Sequence, residues 1–251
     1  MAEAMQIEDY LAGGGVLSSP ANVPPRYRGE LLRLMAVFID SELAGSAGFA
    51  DTINDAPGIT SRIAAARIVL EKTDHAGRVL ALMGDFGADA GRYAGTHPWA
   101  ARLPRDADPA VARPAGDLRL PVFHYPLAGW VDAVVLNVLM GLATAVQLGE
   151  LSRVSYGPLA EVMREIAPRE TRHTDLGLEG LAGIAASEAG RAEARASIAY
   201  WRPKVAASFG HADAARFAML ARLGLRHASN DALLADWSAR VDDRLAALSL
   251  L

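Results

Sequence analysis

The sequence predicts an all-α fold, built as two long helical hairpins with additional C-terminal helices. Three observations predict it. Apolar residues recur with helical spacing along nearly the whole chain. No run of alternating β-branched residues is present. The breaks fall at Gly/Pro clusters spaced widely enough to leave helices of twenty or more residues between them. A Gly/Pro-rich stretch from Gly13 to Pro25 closes an N-terminal lead, residues 1–25. It opens into a first helix over about Arg26 to Ala47, with Leu32, Met35, Phe38, Ile39 and Glu42 on its inward face. Ala56-Pro57-Gly58 breaks that helix, and a second runs to about Asp85. From Gly95 to Pro121 the composition turns to Pro, Asp, Arg and Ala, which predicts a long loop, about 95–121, between the hairpins. The second hairpin comprises about Gly129 to Leu151 and Tyr156 to Ala185, broken around Ser155-Tyr156-Gly157-Pro158. Shorter helical patterns follow over Arg191 to Ser208, Ala212 to Leu223 and Asn230 to Leu248, the last capped by Ser229 or Asn230. With no low-complexity segment and no second domain evident, residues 1–251 read as a single domain.

Bulk properties narrow the function. The chain carries 25 Lys+Arg against 29 Asp+Glu, a formal net charge of -4, and its arginines are scattered, so no basic stripe recommends a nucleic-acid partner. The absence of cysteine excludes disulfides, thiolate metal sites and thiol catalysis. No basic-then-apolar leader is evident, and the expected location is the cytoplasm. The one stretch apolar enough to suggest a membrane span, Leu127 to Leu148, contains Asp132, Asn137, Thr144 and Gln147. It reads as the central helix of a bundle, with no membrane partner.

The chemistry is concentrated in two four-residue segments. Glu170-Thr171-Arg172-His173 lies in the fourth long helix, and its near twin Lys72-Thr73-Asp74-His75 lies in the second, with lysine where the first has glutamate. A Glu-x-x-His pair on each of two helices, with one further carboxylate from each of two others, is how ferritin-like four-helix bundles hold two irons. The two hairpins therefore read as a divergent duplication around an altered di-iron site.

Longer motifs carry a specific resemblance. Ser41-Glu42-Leu43-Ala44-Gly45, Ala56-Pro57, Lys72-x-x-His75 and Val122-Phe123-His124-Tyr125-Pro126 are among them. Trp130-Val131-Asp132-Ala133, Ser155-Tyr156-Gly157-Pro158, Tyr200-Trp201-Arg202-Pro203 and Ala228-Ser229-Asn230-Asp231 extend the series. Together they resemble the phenylacetic acid catabolic family, in particular the catalytic subunit of phenylacetyl-CoA epoxidase. The resemblance implies a ferritin-like four-helix bundle and an oxygenase that uses two irons and O2 on an aromatic acyl-CoA, within a multi-subunit complex fed by a reductase. It also implies metal-ligand roles for Glu42, His75, Glu170 and His173. The remaining ligand positions fall on Lys72 and on Gly141, so two of the six are lost. The family's non-catalytic subunit is known for a similar lysine.

Helix geometry limits any rescue. Asp132, nine residues before Gly141, lies on the opposite face at 100° per residue. Asn137 shares the face of Gly141 but is a poor ligand for iron beside a carboxylate. Glu71 stands four residues before His75 and could share its face, although its expected place is a solvated helix surface. Charge argues further. Glu42 and Glu170 facing the Lys72 ammonium leave one negative charge, which a protonated histidine would balance. A dication about 4 Å from that ammonium would cost roughly 8 kcal/mol at an effective dielectric near 20. The preferred expectation is a metal-free site in which Lys72 replaces the metal. The alternative is a single Fe or Zn ion on Glu42, His75, Glu170 and His173 beside a deprotonated Lys72, an altered monooxygenase centre in which Lys72 is the catalytic residue that steers the bound oxygen or, once protonated, donates a proton. A full di-iron centre is the least expected arrangement.

Three functions follow as expectations: an oxygenase acting on an aromatic acyl-CoA thioester, a metal-free scaffold or regulatory subunit, and an acyl-CoA-binding protein without oxygen chemistry. A homodimer, or a heteromer with a ferritin-like homologue, is the expected assembly. Trp201, Trp237, Phe209 and Phe217 read as core, and Arg26, Arg28, Arg62 and Arg67 as solvated. His124 and Tyr125 either line an entrance to the site or pack a turn.

Overall fold

The computed structural model describes residues 7–108 and 115–251. Among them no strand forms, apart from an isolated bridge between Leu17 and Tyr156. The helices are α1 (Ile7–Ala12), α2 (Pro25–Thr52), α3 (Ile59–Gly84), α4 (Ala90–Ala94), α5 (Trp130–Leu151), α6 (Gly157–Ala185), α7 (Glu188–Ala207), α8 (Ala214–Arg222) and α9 (Asn230–Ala247). The pairs α2–α3 and α5–α6 form two antiparallel hairpins, joined face to face mainly through α3 and α6. This is a ferritin-like helical bundle, with α7 and α9 laid against α5.

Local chemistry explains the boundaries. Pro25 at the first position of α2 costs no hydrogen bond, since the first amides of a helix have no internal acceptor. The helix then continues five residues past the expected Ala47, through Thr52 and a 3-10 turn (Ile53–Asp55), because nothing before Pro57 interrupts it. The hydroxyl of Ser187 accepts from the Gly190 amide and starts α7 at Glu188, three residues before the expected Arg191. Ser229 caps α9 by accepting from the Ala232 amide, which settles the choice between it and Asn230. The expected loop of 95–121 is irregular where described and passes into a 3-10 turn at Pro121–His124, while 109–114 lie outside the described residues.

Two apolar clusters hold the frame. One gathers Val135, Leu139, Trp201, Trp237 and Val241 around α5, α7 and α9. The other gathers Leu31, Met35, Ile39, Val79, Leu159 and Met163 between α2, α3 and α6. α5 is long and apolar enough to cross a membrane, with a mean hydropathy of 1.8, but 78% of that window is buried by its neighbours. It serves as the central helix of the bundle. Of the expected inward residues of α2, Met35, Ile39 and Glu42 are buried, while Leu32 and Phe38 are half-buried. Trp201, Trp237 and Phe209 are core, as expected. Phe217 is not: it is half-buried and borders a cavity. Arg26, Arg28, Arg62 and Arg67 are all exposed, and Arg28 also reaches the Phe86 carbonyl and Arg62 that of Asn54.

The long loop is fastened to α2 next to the site. The Asp40 carboxylate accepts from the Leu118 amide at 2.8 Å and from the Tyr93 hydroxyl at 2.7 Å, and the Ser41 hydroxyl accepts from the Leu120 amide at 3.1 Å. His124 is buried in the turn that follows, and its carbonyl accepts from the Leu103 amide. Tyr125 donates to the Ala107 carbonyl and also lines a small pocket beside Lys72. The two residues therefore divide the roles left open between them. Asp132 faces away from the site, as its helix position requires, and takes hydrogen bonds from Arg105, Ser197 and the Ala128 amide.

Candidate metal centre

The hairpins bring together side chains from α2, α3 and α6. Each Lys/Glu-x-x-His pair spans one helical turn, so Lys72 with His75 and Glu170 with His173 project side by side into the interface. The Lys72 Nζ donates to Glu42 Oε1 at 2.9 Å and to both Glu170 oxygens at 3.1 Å. His75 Nδ1 lies 3.0 Å from Glu170 Oε1 and 3.2 Å from Glu42 Oε2. Ionised carboxylates only accept, so this nitrogen carries the proton. His173 stacks on His75 with ring centroids 5.9 Å apart. Both rings are fully buried.

Electrostatics follow from this packing. Burial disfavours the charged form of Lys72, but the Glu170 and Glu42 carboxylates outweigh it and raise its pKa above the usual lysine value. The same contest raises His75, where hydrogen bonds to Glu170 and Glu42 overcome burial. Burial would raise Glu170, yet the neighbouring Lys72 ammonium and the two histidines hold it well below the usual carboxylate range. The Lys72 ammonium and the His75 Nδ1–H thus face two carboxylates. With no ion between them, the two carboxylates favour the ammonium form of Lys72.

Two further residues enter the site that their sequence positions alone did not place there. Glu71 is not on a solvated surface. Its Oε2 lies 2.7 Å from His173 Nε2, and its side chain is 23% exposed. Its spacing marks it as a candidate, because Glu71 and His75 are one turn apart on α3, but the expected place is the helix surface. Thr174 is the other. Its buried hydroxyl donates to the Glu170 carbonyl at 3.0 Å and sits against Gly141 of α5. Asn137, the polar residue on the same face of α5, donates instead to the His173 carbonyl at 2.8 Å.

Donor atoms of Glu42, His75 and Glu170 lie within 4.8 Å of one another, close enough to converge on one cation. Lys72 already bonds both carboxylates of that set, and at Gly141 α5 supplies no carboxylate opposite it. The residues present therefore do not fit a di-iron centre, which needs anionic ligands from all four helices and no ammonium among them. Two spaces adjoin the cluster. A pocket of about 30 Å³ touches Lys72, Glu170, Gly141 and Phe123. A cavity of about 590 Å³ runs from Glu42 between α2 and α5 to Arg226, beneath α8.

A ferritin-like bundle with a buried carboxylate–histidine cluster at the hairpin interface is the class that fold and site define. The sequence profile of the family described as phenylacetic acid catabolic protein matches residues 15–251, and the chain belongs to that family. It is also 36% identical over 64 residues to a component of the 1,2-phenylacetyl-CoA epoxidase of Escherichia coli (strain K12). That match covers 26% of this chain and 21% of the relative, so the chain is aligned with about a fifth of the relative's length.

Proposed function

We propose that the chain is an epoxidase-like protein of phenylacetate catabolism that works without a metal, with the Lys72 ammonium in the place of the ion. The observation that carries this reading is the contact of one ammonium with both Glu42 and Glu170, 2.9 and 3.1 Å away. An ion at that point would lose two anionic ligands to the lysine and meet its charge at close range. His75 reinforces the exchange by donating to the same two carboxylates. In this reading the cluster ties α2, α3 and α6 together and performs no oxygen chemistry. Elemental analysis of protein expressed with iron supplied tests it: the unaltered chain is expected to carry no stoichiometric metal. A full equivalent of iron or zinc would return the site to the altered-oxygenase reading.

The larger cavity supports a binding role beside this one. Its walls are mostly apolar, with Leu34, Val37, Phe38, Met140 and Phe217 among them, and Arg33 and Arg226 lie on its border. Arg226 donates to neutral amide oxygens, those of Gln147 and Asn230, which leaves guanidinium donors for an anionic group. An aromatic acyl-CoA thioester has the matching parts, an apolar acyl group and a phosphorylated carrier. Phenylacetyl-CoA is expected to raise the thermal midpoint without being consumed. At a hundredfold excess over Kd the stabilisation would be about 2.7 kcal/mol. No rise with the thioester, or an equal rise with phenylacetate alone, would remove the binding role.

A further inference from the structure

We infer that Thr174 closes the site a second time, independently of Lys72, by filling the space through which α5 would have to supply a ligand. The inference rests on the metal-free reading and deepens it. Gly141 is one of the residues of α5 that border the pocket shared with Lys72 and Glu170. A Cβ at that position would lie 2.2 Å from Thr174 Oγ1, 3.1 Å from its Cβ and 3.3 Å from its Cγ2. The nearest atom cannot easily give way, because the hydroxyl is bound to the Glu170 carbonyl one turn earlier and β-branching restricts the rotamer. Thr174 is only 5% exposed, so no solvent-filled space is open to it.

The other polar residue of that face is also committed. Asn137 donates to the His173 carbonyl, and its amide fits only because position 177 is glycine, where a Cβ would lie 2.5 Å from Asn137 Nδ2. The α5–α6 crossing is therefore a closely fitted surface in which Thr174 of α6 fills the volume left at Gly141 of α5, and Asn137 of α5 fills that left at Gly177 of α6. Loss of the lysine alone would free Glu42, His75 and Glu170 for one cation, but a second would still lack its α5 ligand. The two obstacles lie on different helices and act by different physics. Lys72 excludes a cation by charge and Thr174 excludes a side chain by volume.

The experiment compares iron content and thermal midpoint across a variant series. Lys72→Glu with Gly141→Asp is expected to gain no second iron and to melt below Lys72→Glu alone. Adding Thr174→Ala is expected to bring the content to about two irons per chain, as for a complete paired-hairpin carboxylate site, and to recover the midpoint. Thr174→Ser in its place retains the nearest atom and is expected not to help. A second iron without any change at Thr174, or none in the triple variant, overturns the inference. Should the charged variants fail to fold, a cycle of Gly141→Ala and Thr174→Ala in the unaltered background still decides it. The midpoint lost with Gly141→Ala must be substantially recovered by Thr174→Ala, and simple additivity overturns the inference. Iron in the unaltered protein would overturn the metal-free reading, whereas the steric comparison between double and triple variants would stand on its own.

Discussion

Replacing Lys72 by methionine is expected to lower the unfolding free energy by about 3–5 kcal/mol, the range for removing one partner of a buried ion pair. Lys72 and its two partners are almost wholly buried, with side-chain exposures of 10%, 7% and 2% for Lys72, Glu42 and Glu170. Little of the interaction is therefore lost to solvent screening. Methionine fills a similar volume without the charge, so the loss measures two carboxylates left against each other rather than an empty space. Adding Glu42→Gln and Glu170→Gln is expected to restore much of the stability, because buried ion clusters often contribute little beyond their neutral equivalents. Urea unfolding of the single and triple variants is the measurement. A Lys72→Met protein as stable as the parent would show that the ammonium does not hold the helices together.

The second large effect is expected at Trp237, where substitution by alanine should cost about 3–5 kcal/mol, the range for deleting a buried aromatic side chain. Trp237 is 1% exposed, stacks obliquely on Phe209 at 5.6 Å and donates from Nε1 to the Leu139 carbonyl at 3.0 Å. It fixes α9 to the middle of α5, the helix that carries Gly141. Trp201 gives a control within the same cluster. It is equally buried, but its Nε1 has no hydrogen-bond partner among the described residues. Trp201→Phe should therefore cost less than Trp237→Phe, which also removes a hydrogen bond. Thermal and urea unfolding of these variants would show this order, and a reversed order would mean that shape rather than hydrogen bonding distinguishes the two positions.

The helices were legible because their signals are local. Apolar spacing located α2, α3, α5 and α6, and Ala56-Pro57-Gly58 and Ser155-Tyr156-Gly157-Pro158 placed the hairpin turns. The paired Lys/Glu-x-x-His segments, together with the family resemblance, identified Glu42, Lys72, His75, Glu170 and His173 as neighbours, and the structure brings these five together. Glu71 was harder because its side chain could reach either water or the adjoining helix, a choice made by where α6 presents His173. Thr174 was harder still. On its own helix it reads as an ordinary hydroxyl after a histidine, and its effect exists only at the crossing with Gly141. Phe217 shows the opposite error, since its apolar character suggested core while the packing of α8 leaves it beside a cavity. In each case the missing information was the rotation and separation of two helices distant in sequence.

The cation at the centre of this bundle is part of the polypeptide. A free ion contributes to folding according to its concentration and its dissociation constant, so a frame fastened by it is linked by mass action to whatever pool supplies it. Lys72 cannot dissociate into a pool. Its charge is delivered to Glu42 and Glu170 at a fixed stoichiometry as soon as α2, α3 and α6 meet. On the metal-free reading proposed above, a chain built this way assembles on the same terms whether metal is scarce or abundant.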